Sequence, residues 1–428
     1  MTFANPSFPE TLMFQSIPDA SWRLDANDPK ALTRLLDLPG VTVTGLEYYE
    51  VQGTLHLFCE LTAKSAFCPT CQQESHYVHQ YTRRVVRDLP WAGKPCFIEF
   101  VVRRFYCGQC QCPFREALDW LPRCSRLTQR YRHAVYAACR QTNLLEVSLR
   151  ERLGYRTVER LYYALAQEQT PVLPQTPVRH LGIDEFALKK GHDQFAVALS
   201  DLEAGRIIAV LPDRKKETLL AYFATWSHAA REAVEQVALD LWETYQQVAE
   251  VCFPNARPVA DRFHVMKNLT DRVTTARREI QRALPEAARQ TLKGCRWLLV
   301  RNETDLSQSD KVRLETMFTL APDLSVLHRL KEDFRDIFET ASNLTEAASL
   351  LEAWITQVET SGLAALGSFV ALLRKRWEHI LNYFHTRLTS GGVEGLNNKI
   401  KVVKRCAYGF RDFEHFALRV LVECDGST

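Results

Sequence analysis

Three short apolar runs in this chain lead into an aspartate, and this constrains the fold more than any other feature. VRHLGIDEFAL at Val178–Leu188 carries Asp184 and Glu185; VEQVALDLWETY runs into Asp240; ARPVADRFHVMKNL runs into Asp261. An unpaired ionised carboxylate is costly away from water. Asp184 is therefore expected at a solvent-facing strand end or held by a cation. After the first run comes a turn-forming KKGHD, then apolar runs at Gln194–Ser200 and Arg206–Leu211 joined by a hairpin-like Asp201–Gly205. Lys215–Val234 reads as one amphipathic helix. The order is strand, strand, strand, helix, strand, helix, strand, with acids marking the first, fourth and fifth strands.

A further acid comes from the C-terminal end. Thr389–Lys399, TSGGVEGLNNK, opens a helix with a Ser/Thr cap option, and IKVVKRCAYGFRDFEHFALRVLV is expected to continue it. Glu394, Asn397, Asn398 and Lys401 recur at helical spacing and share a face. Leu396, Ile400 and Val403 form the other face, expected to pack on the sheet. Carboxylates brought by strand ends and one helix suit two Mg²⁺ ions, which prefer oxygen ligands and keep positions open for water and phosphate. Such a pair, about 4 Å apart, activates a water or 3′-hydroxyl and stabilises the leaving oxygen in phosphoryl transfer.

Cys68-Pro-Thr-Cys71 and Cys107-Gly-Gln-Cys110 are two CxxC pairs, each after a strand-like segment. Four thiolates from two knuckles match one closed, structural Zn²⁺ site. Cys112, His76 and His79 are possible substitutes for one ligand, whereas Cys59, Cys96 and Cys124 read as ordinary buried residues. The chain has 13 cysteines, an odd number, and MTFANPSFPETLMFQ lacks the pattern of a secretory signal. A reducing cytoplasm and metal ligation are expected rather than disulfides. Net charge is only +3, so local distribution matters more. Cys68–His133 holds eleven Arg/Lys against five Asp/Glu, and Gly395–Arg411 holds five Lys/Arg and no acid. Arg83, Arg84, Arg87, Arg103 and Arg104, interleaved with Trp91 and Tyr106, suit phosphate contacts or form a solvated face.

LLEVSLRERLGYRTVERLYYAL fits a helix-turn-helix, with its turn at Leu153-Gly154-Tyr155 and Thr157 as a possible cap of the second helix. That helix would offer Arg156, Glu159 and Arg160 to a major groove. The Pro-rich PVLPQTPV after it reads as a linker. The expected division is an arm over 1–34, a zinc-binding β-rich domain over 35–124 and the helix-turn-helix over 125–170. A catalytic core over 171–264 follows, then a helical insertion over 265–388 and the core's last helix over 389–428.

GIDEF at 182–186, LDLWETY at 239–245, ADRFHVMKN at 260–268 and SGGVEGLNNKIKVVKRCAYGFRDFEHF at 390–416 resemble bacterial insertion-sequence transposases of the ISL-three family. The resemblance includes the double CxxC segment and the helix-turn-helix, and covers nearly the whole chain. It implies a multidomain α+β protein: a zinc-ribbon-like β domain, a helix-turn-helix, and an RNase H-like α/β domain of the DDE type interrupted by helices. It also implies a cytoplasmic, Mg²⁺-dependent enzyme that cleaves and joins DNA at its element's terminal inverted repeats, working as at least a dimer on double-stranded DNA. Asp184 and Glu394 carry over as first and last acids. Asp240 is preferred as the middle acid, with Asp261 the alternative; Asp261 and His264 resemble an accessory D-x-x-H motif. Lys399, Lys401, Lys404 and Arg405 join the DNA-contacting candidates. The rival expectations are a non-catalytic zinc/helix-turn-helix DNA-binding regulator, and an RNase H-like nuclease without strand transfer.

Overall fold

The computed structural model describes residues 28–170, 177–188, 194–387, 391–406, 410 and 412–424, with only the backbone of 391–394. Most of the expected arm, the KKGHD turn, most of the Pro-rich linker, the Thr389–Ser390 cap and the Glu394 side chain lie outside these. The chain forms two compact units: one runs to Gln141 and includes Leu149–Leu153, the other comprises Thr142–Ser148 and everything from Gly154.

The first unit opens with a helix the sequence reading missed, α1 (Pro29–Leu36), started by Pro29 and capped by Asp28, which accepts from the Lys30 amide at 2.9 Å. Its eight residues bury Leu32 and Leu36, too short a pattern to stand out against the arm. Then come β1 (Val41–Tyr49), β2 (Thr54–Leu61), β3 (Ala66–Phe67), β4 (Glu74–Ser75), β5 (Val78–Trp91), β6 (Lys94–Cys107) and β7 (Cys112–Arg115). The main sheet runs β1-β2-β6-β5, with β7 on β6, and β3 pairs with β4 separately. Alternation puts Cys96, Ile98, Phe100 and Val102 of β6 into a core with Val43, Leu57, Val86 and Trp120. Helix α2 (Gln129–Gln141) is tied to this sheet through the fully buried Asp88, which takes Thr128 Oγ1 at 2.6 Å, Arg130 Nε at 2.8 Å and a further bond from Arg130 Nη2.

Helices α3 (Leu144–Arg150) and α4 (Tyr155–Gln169) follow. The cap of α4 is Gly154, without a side-chain bond, so Thr157 lies inside the first turn and does not cap as expected.

In the second unit β8 (His180–Ala187), β9 (Phe195–Asp201) and β10 (Arg206–Leu211) form an antiparallel meander. The expected single helix over Lys215–Val234 is two, α5 (Lys216–Ala224) and α6 (His228–Glu232), because Ser227 caps a new start by accepting from the Ala230 amide. Then β11 (Gln236–Leu239), α7 (Glu243–Cys252) and β12 (Arg257–Ala260) complete a sheet ordered β10-β9-β8-β11-β12, in which β8, β11 and β12 are parallel. Both faces are covered, which is why β9 reads as a continuous apolar run. Val197 and Leu199 face Leu219, Phe223 and Tyr245 of α5 and α7. Ala196 and Ala198 face the opposite layer. Gly182 is required by close strand contact: a Cβ there would lie 2.4 Å from Ser200 Oγ.

Helix α8 (Arg262–Ala283) begins an almost wholly helical stretch: α9 (Glu286–Thr291), α10 (Arg296–Val300), α11 (Gln308–Leu320), α12 (Pro322–Thr340), α13 (Leu344–Thr360), α14 (Gly367–Lys375) and α15 (Trp377–Thr386). It has its own core around Phe334, Phe338, Trp354 and Phe369. It is also fastened to the sheet: Asn382 Nδ2 donates to the Pro258 carbonyl at 2.9 Å and Thr386 Oγ1 to Gln236 Oε1 at 2.7 Å.

The C-terminal helix expected to be continuous is two, α16 (Gly391–Cys406) and α17 (Phe413–Glu423), the second capped by Asp412. As expected, Leu396, Ile400 and Val403 pack on the sheet, with Phe416 and Val420 of α17 beside them. Helix α17 also carries α4: the rings of Tyr163 and His415 stack at 3.7 Å, and Arg419 Nη2 donates to the Thr142 carbonyl at 2.9 Å.

Candidate active site and zinc knuckle

Strand register brings the aspartates together. Ile183 pairs with Leu239, and Leu239 with Ala260. Asp184, Asp240 and Asp261 are each the next residue, so they stand side by side across three parallel strands, roughly 4.8 Å apart per step. Asp184 lies within its strand rather than at a solvent-facing end. Asp240 follows the last residue of β11, and Asp261 caps α8 through the Phe263 amide at 3.0 Å. Each of the other two is oriented by the amide after it: Glu185 N reaches Asp184 Oδ1 at 2.8 Å, and Leu241 N reaches Asp240 Oδ1 at 2.5 Å.

His264, one turn into α8, stands among the three. Its Nδ1 is 3.2 Å from Asp261 Oδ2 and 3.9 Å from Asp240 Oδ1, and its Nε2 is 3.7 Å from Asp184 Oδ1. Burial works against the imidazolium, but the hydrogen bond to Asp261 and the charges of Asp240, Asp261 and Asp184 outweigh it and raise the His264 pKa. Burial also raises Asp184, against the pull of His264 and of its hydrogen bonds from the Glu185 amide and Asn397. Asn397 of α16 donates to Asp184 Oδ2, and its own buried Oδ1 has no hydrogen-bond partner among the described residues. Asp184, its carboxyl pKa raised by burial, stands with two further carboxylates beside an unused buried acceptor, and the pocket they form is rich in oxygen. That donor set fits Mg²⁺.

Glu185 points to the other face of the sheet. It pairs with Arg214, whose Nη1 is 3.2 and 3.1 Å from its two oxygens, and accepts from Tyr245 Oη at 3.2 Å. Sequence reasoning missed Arg214 and Tyr245, and gave Asn397 a place on a face but no partner. An isolated arginine between two elements carries no spacing signal that could have found it.

In the first unit Cys68, Cys71, Cys107 and Cys110 gather their sulfurs within 4.8 Å of one another. Cys112, His76 and His79 are not in the cluster. The amides of Cys71 and Thr70 pull the Cys68 thiol down to about 6, while hydrogen bonding to Cys71 pushes Cys110 up. The donors fit tetrahedral Zn²⁺. Cys59 and Cys96 are buried, with thiols pushed up to about 12 by desolvation. Cys124 is exposed, contrary to expectation, at a left-handed turn with φ 61°.

The expected arginine platform is largely self-neutralised. Arg103 forks onto Glu116 and donates to the Ala63 carbonyl at 2.6 Å. Arg83 pairs with Glu99, Arg84 holds the Ser125 carbonyl at 2.5 Å, and Arg87 lies 3.5 Å from Glu151. Arg104 remains exposed. On α4, Arg156 and Arg160 are exposed along a cleft of about 820 Å³ shared with Tyr163, His415 and Arg419. On α16, Lys399, Lys401 and Arg405 are exposed, whereas Lys404 donates to the Ala187 carbonyl at 2.7 Å.

These features agree with the comparisons to known proteins. Residues 181–420 match the family model for the ISL3 DDE transposase domain, described as "Transposase". The chain belongs to the ISL3 transposase family. Residues 64–110 match the zinc-finger of transposase IS204/IS1001/IS1096/IS1165, and residues 116–166 the helix-turn-helix domain of transposase family ISL3. The chain is 32% identical to the transposase for insertion sequence element IS1001 of Bordetella parapertussis, over 94% of this chain and 99% of that one. It is 24% identical to the transposase for IS1557 of Mycobacterium tuberculosis, over 80% of this chain and 82% of that one. Membership makes it a member of a DNA-processing family with zinc-ribbon and DNA-binding parts. No helix among the described residues is long and apolar enough to cross a membrane.

Proposed function

We propose that this protein is a DDE transposase with an RNase H-like catalytic core, acting in the cytoplasm on double-stranded DNA. It binds the terminal inverted repeats of its own element, cleaves there, and joins the freed 3′-hydroxyl to target DNA. The observation that carries the reading is the register of Asp184, Asp240 and Asp261 on three neighbouring parallel strands, with a helix from the far end of the chain donating to Asp184.

Asp184 and Asp240 are the residues that would hold Mg²⁺, with Glu394 as the third acid. Asp240 suits the middle role better than Asp261. Its carboxylate is 24% exposed and takes one amide, whereas that of Asp261 is 6% exposed and occupied by its cap and His264. Glu394 lies one turn before Asn397 on α16, the helix that reaches Asp184. Two bound Mg²⁺ ions would supply an acidified water or 3′-hydroxyl and neutralise charge on the transferring phosphoryl group. Asn397 orients the Asp184 carboxylate, and Asp261 fixes the His264 ring at Nδ1. Zn²⁺ at the four cysteines is structural, with no open position for chemistry. Exposed cations of α4 and α16, and Arg104, contact phosphates or bases; Arg83, Arg84, Arg103 and Lys404 act there only by giving up present partners. Joining two ends requires at least a dimer on DNA.

The test is Mg²⁺-dependent cleavage and joining of a labelled terminal-repeat duplex. Asp184→Asn, Asp240→Asn and Glu394→Gln should bind the duplex and leave it intact, with Asp261→Asn retaining some cleavage. Cleavage by Asp240→Asn with none by Asp261→Asn would transfer the middle role. Binding without cleavage by the unsubstituted protein would favour a regulator, and nicks without joined products a nuclease.

A further inference from the structure

We propose that Arg214 is a positioning residue that sets the spacing of the Asp184 and Asp240 carboxylates from the opposite face of the sheet. The inference rests on the reading of those two aspartates as a metal-holding pair.

Each of these aspartates takes its orientation from the backbone amide of the next residue, Glu185 or Leu241. The separation of the carboxylates therefore follows the separation of two short backbone segments, 184–185 and 240–242. Arg214 holds both. Its Nη1 lies 3.2 and 3.1 Å from the two oxygens of Glu185. Its guanidinium carbon lies 3.9 Å from the centre of the Trp242 ring and 4.2 Å from that of Phe195, at the start of β9. Tyr245 closes the group: its hydroxyl donates to Glu185 at 3.2 Å, and its ring meets Trp242 edge-on at 5.6 Å. One guanidinium thus joins β8, β9, the β10–α5 connection and the start of α7. A second arginine steadies the remaining link, with Arg376 Nη2 donating to the Leu241 carbonyl at 3.2 Å.

The chemistry favours arginine here. A planar cation can place its faces against aromatic rings while an edge pairs with a carboxylate, which a lysine ammonium cannot do. The same pairing neutralises Glu185, one residue from Asp184. Groups that orient metal-ligating side chains typically contribute 10–100-fold to metal affinity.

The test uses Arg214→Met in the full chain, with Mn²⁺ as the probe. Bound Mn²⁺ is measured from the free-ion paramagnetic resonance signal, alongside terminal-repeat binding and thermal unfolding. The expected result is Mn²⁺ affinity weaker by about tenfold, with duplex binding within about threefold of the unsubstituted protein. Glu185→Gln keeps shape and ring contacts; it should shift Mn²⁺ affinity in the same direction by a smaller factor, and it serves if Arg214→Met fails to fold. A folded Arg214→Met, or in its place Glu185→Gln, whose Mn²⁺ titration superimposes on that of the unsubstituted protein overturns the proposal. Asp184→Asn separates the two levels. If it matches the unsubstituted protein in Mn²⁺ binding and cleavage, the metal-pair reading itself fails; if it loses both while Arg214→Met is unchanged, only the role of Arg214 fails.

Discussion

The cysteine cluster and the aspartate cluster of this protein are built in opposite ways. The cysteine cluster draws its ligands from two short knuckles, and its own buried core consists of Cys68, Phe105, Cys107 and Phe114. A core so small leaves much of the closure to a bound ion. The aspartate cluster sits on a five-stranded sheet covered on both faces, and His264 and Asn397 already bond its carboxylates. On the proposed reading the first site would fold around its metal, and the second is a surface already formed to which a metal would add.

The contrast is tested most strongly by removing a ligand from each. Cys107→Ser should release the zinc and open the two knuckle segments, residues 64–77 and 107–112, to protease, since structural zinc contributes on the order of 10 kcal/mol to small metal-folded units. Metal content by mass spectrometry and a limited digest read this directly, and a variant that keeps both zinc and protease resistance would break the comparison. Chelating Mg²⁺ should lower the thermal transition far less, by only what a weakly held ion adds through mass action.

Asp184→Asn should reduce cleavage by at least about 10³-fold, the rate equivalent of roughly 4 kcal/mol of transition-state charge stabilisation. Its melting temperature should be unchanged or higher. Burial raises the pKa of this carboxyl, so its ionised form costs the metal-free fold stability as pH rises above the ordinary carboxylate range. A melting temperature several degrees lower would make Asp184 a structural residue and the sheet site less finished than argued.

Gly182→Ala places a methyl 2.4 Å from Ser200 Oγ and 2.8 Å from Leu202 Cδ2. A loss of about 1–3 kcal/mol is expected in urea unfolding, partly restored by adding Ser200→Ala. Equal losses with and without that second change would mean that the strain lies elsewhere.

The smallest effect is a control. Burial, then the charge of Lys331, lowers the pKa of His328 in the helical insertion. Its neutral form is the folded one, so its contribution is complete above about pH 6.5 and declines as pH falls through the folded value. Acid used to strip either metal site will carry this shallow slope, and His328→Gln should flatten it in urea titrations between pH 7 and 5.

The comparison also explains what could be read in advance. Cys68, Cys71, Cys107 and Cys110 announce themselves because CxxC spacing is local and its chemistry admits few alternatives. Asp184, Asp240 and Asp261 were legible as acids after apolar runs, and the order of strands and helices around them could be followed. Their convergence could not be read from period or composition, because register is a long-range pairing. Helix starts at Ser227 and Asp412 were passed over because a single capping oxygen outweighs an otherwise continuous pattern. The arginines of β5 and β6 looked like a phosphate platform because charge counts show cations and not the carboxylates folded against them. Arg103 facing Glu116 is the clearest case.

Helix α4 stacks on α17, and α17 lies against β8, β9 and β10, of which β8 bears Asp184. A helix of this kind, if it reads the element's end, is then a gauge block rather than a hook on a string. The interval between the sequence recognised and the phosphate attacked would then be set by side-chain thicknesses within one body. The place of the cut would be written in packing, and a change of residue at Tyr163 or His415 would be a change of calibration.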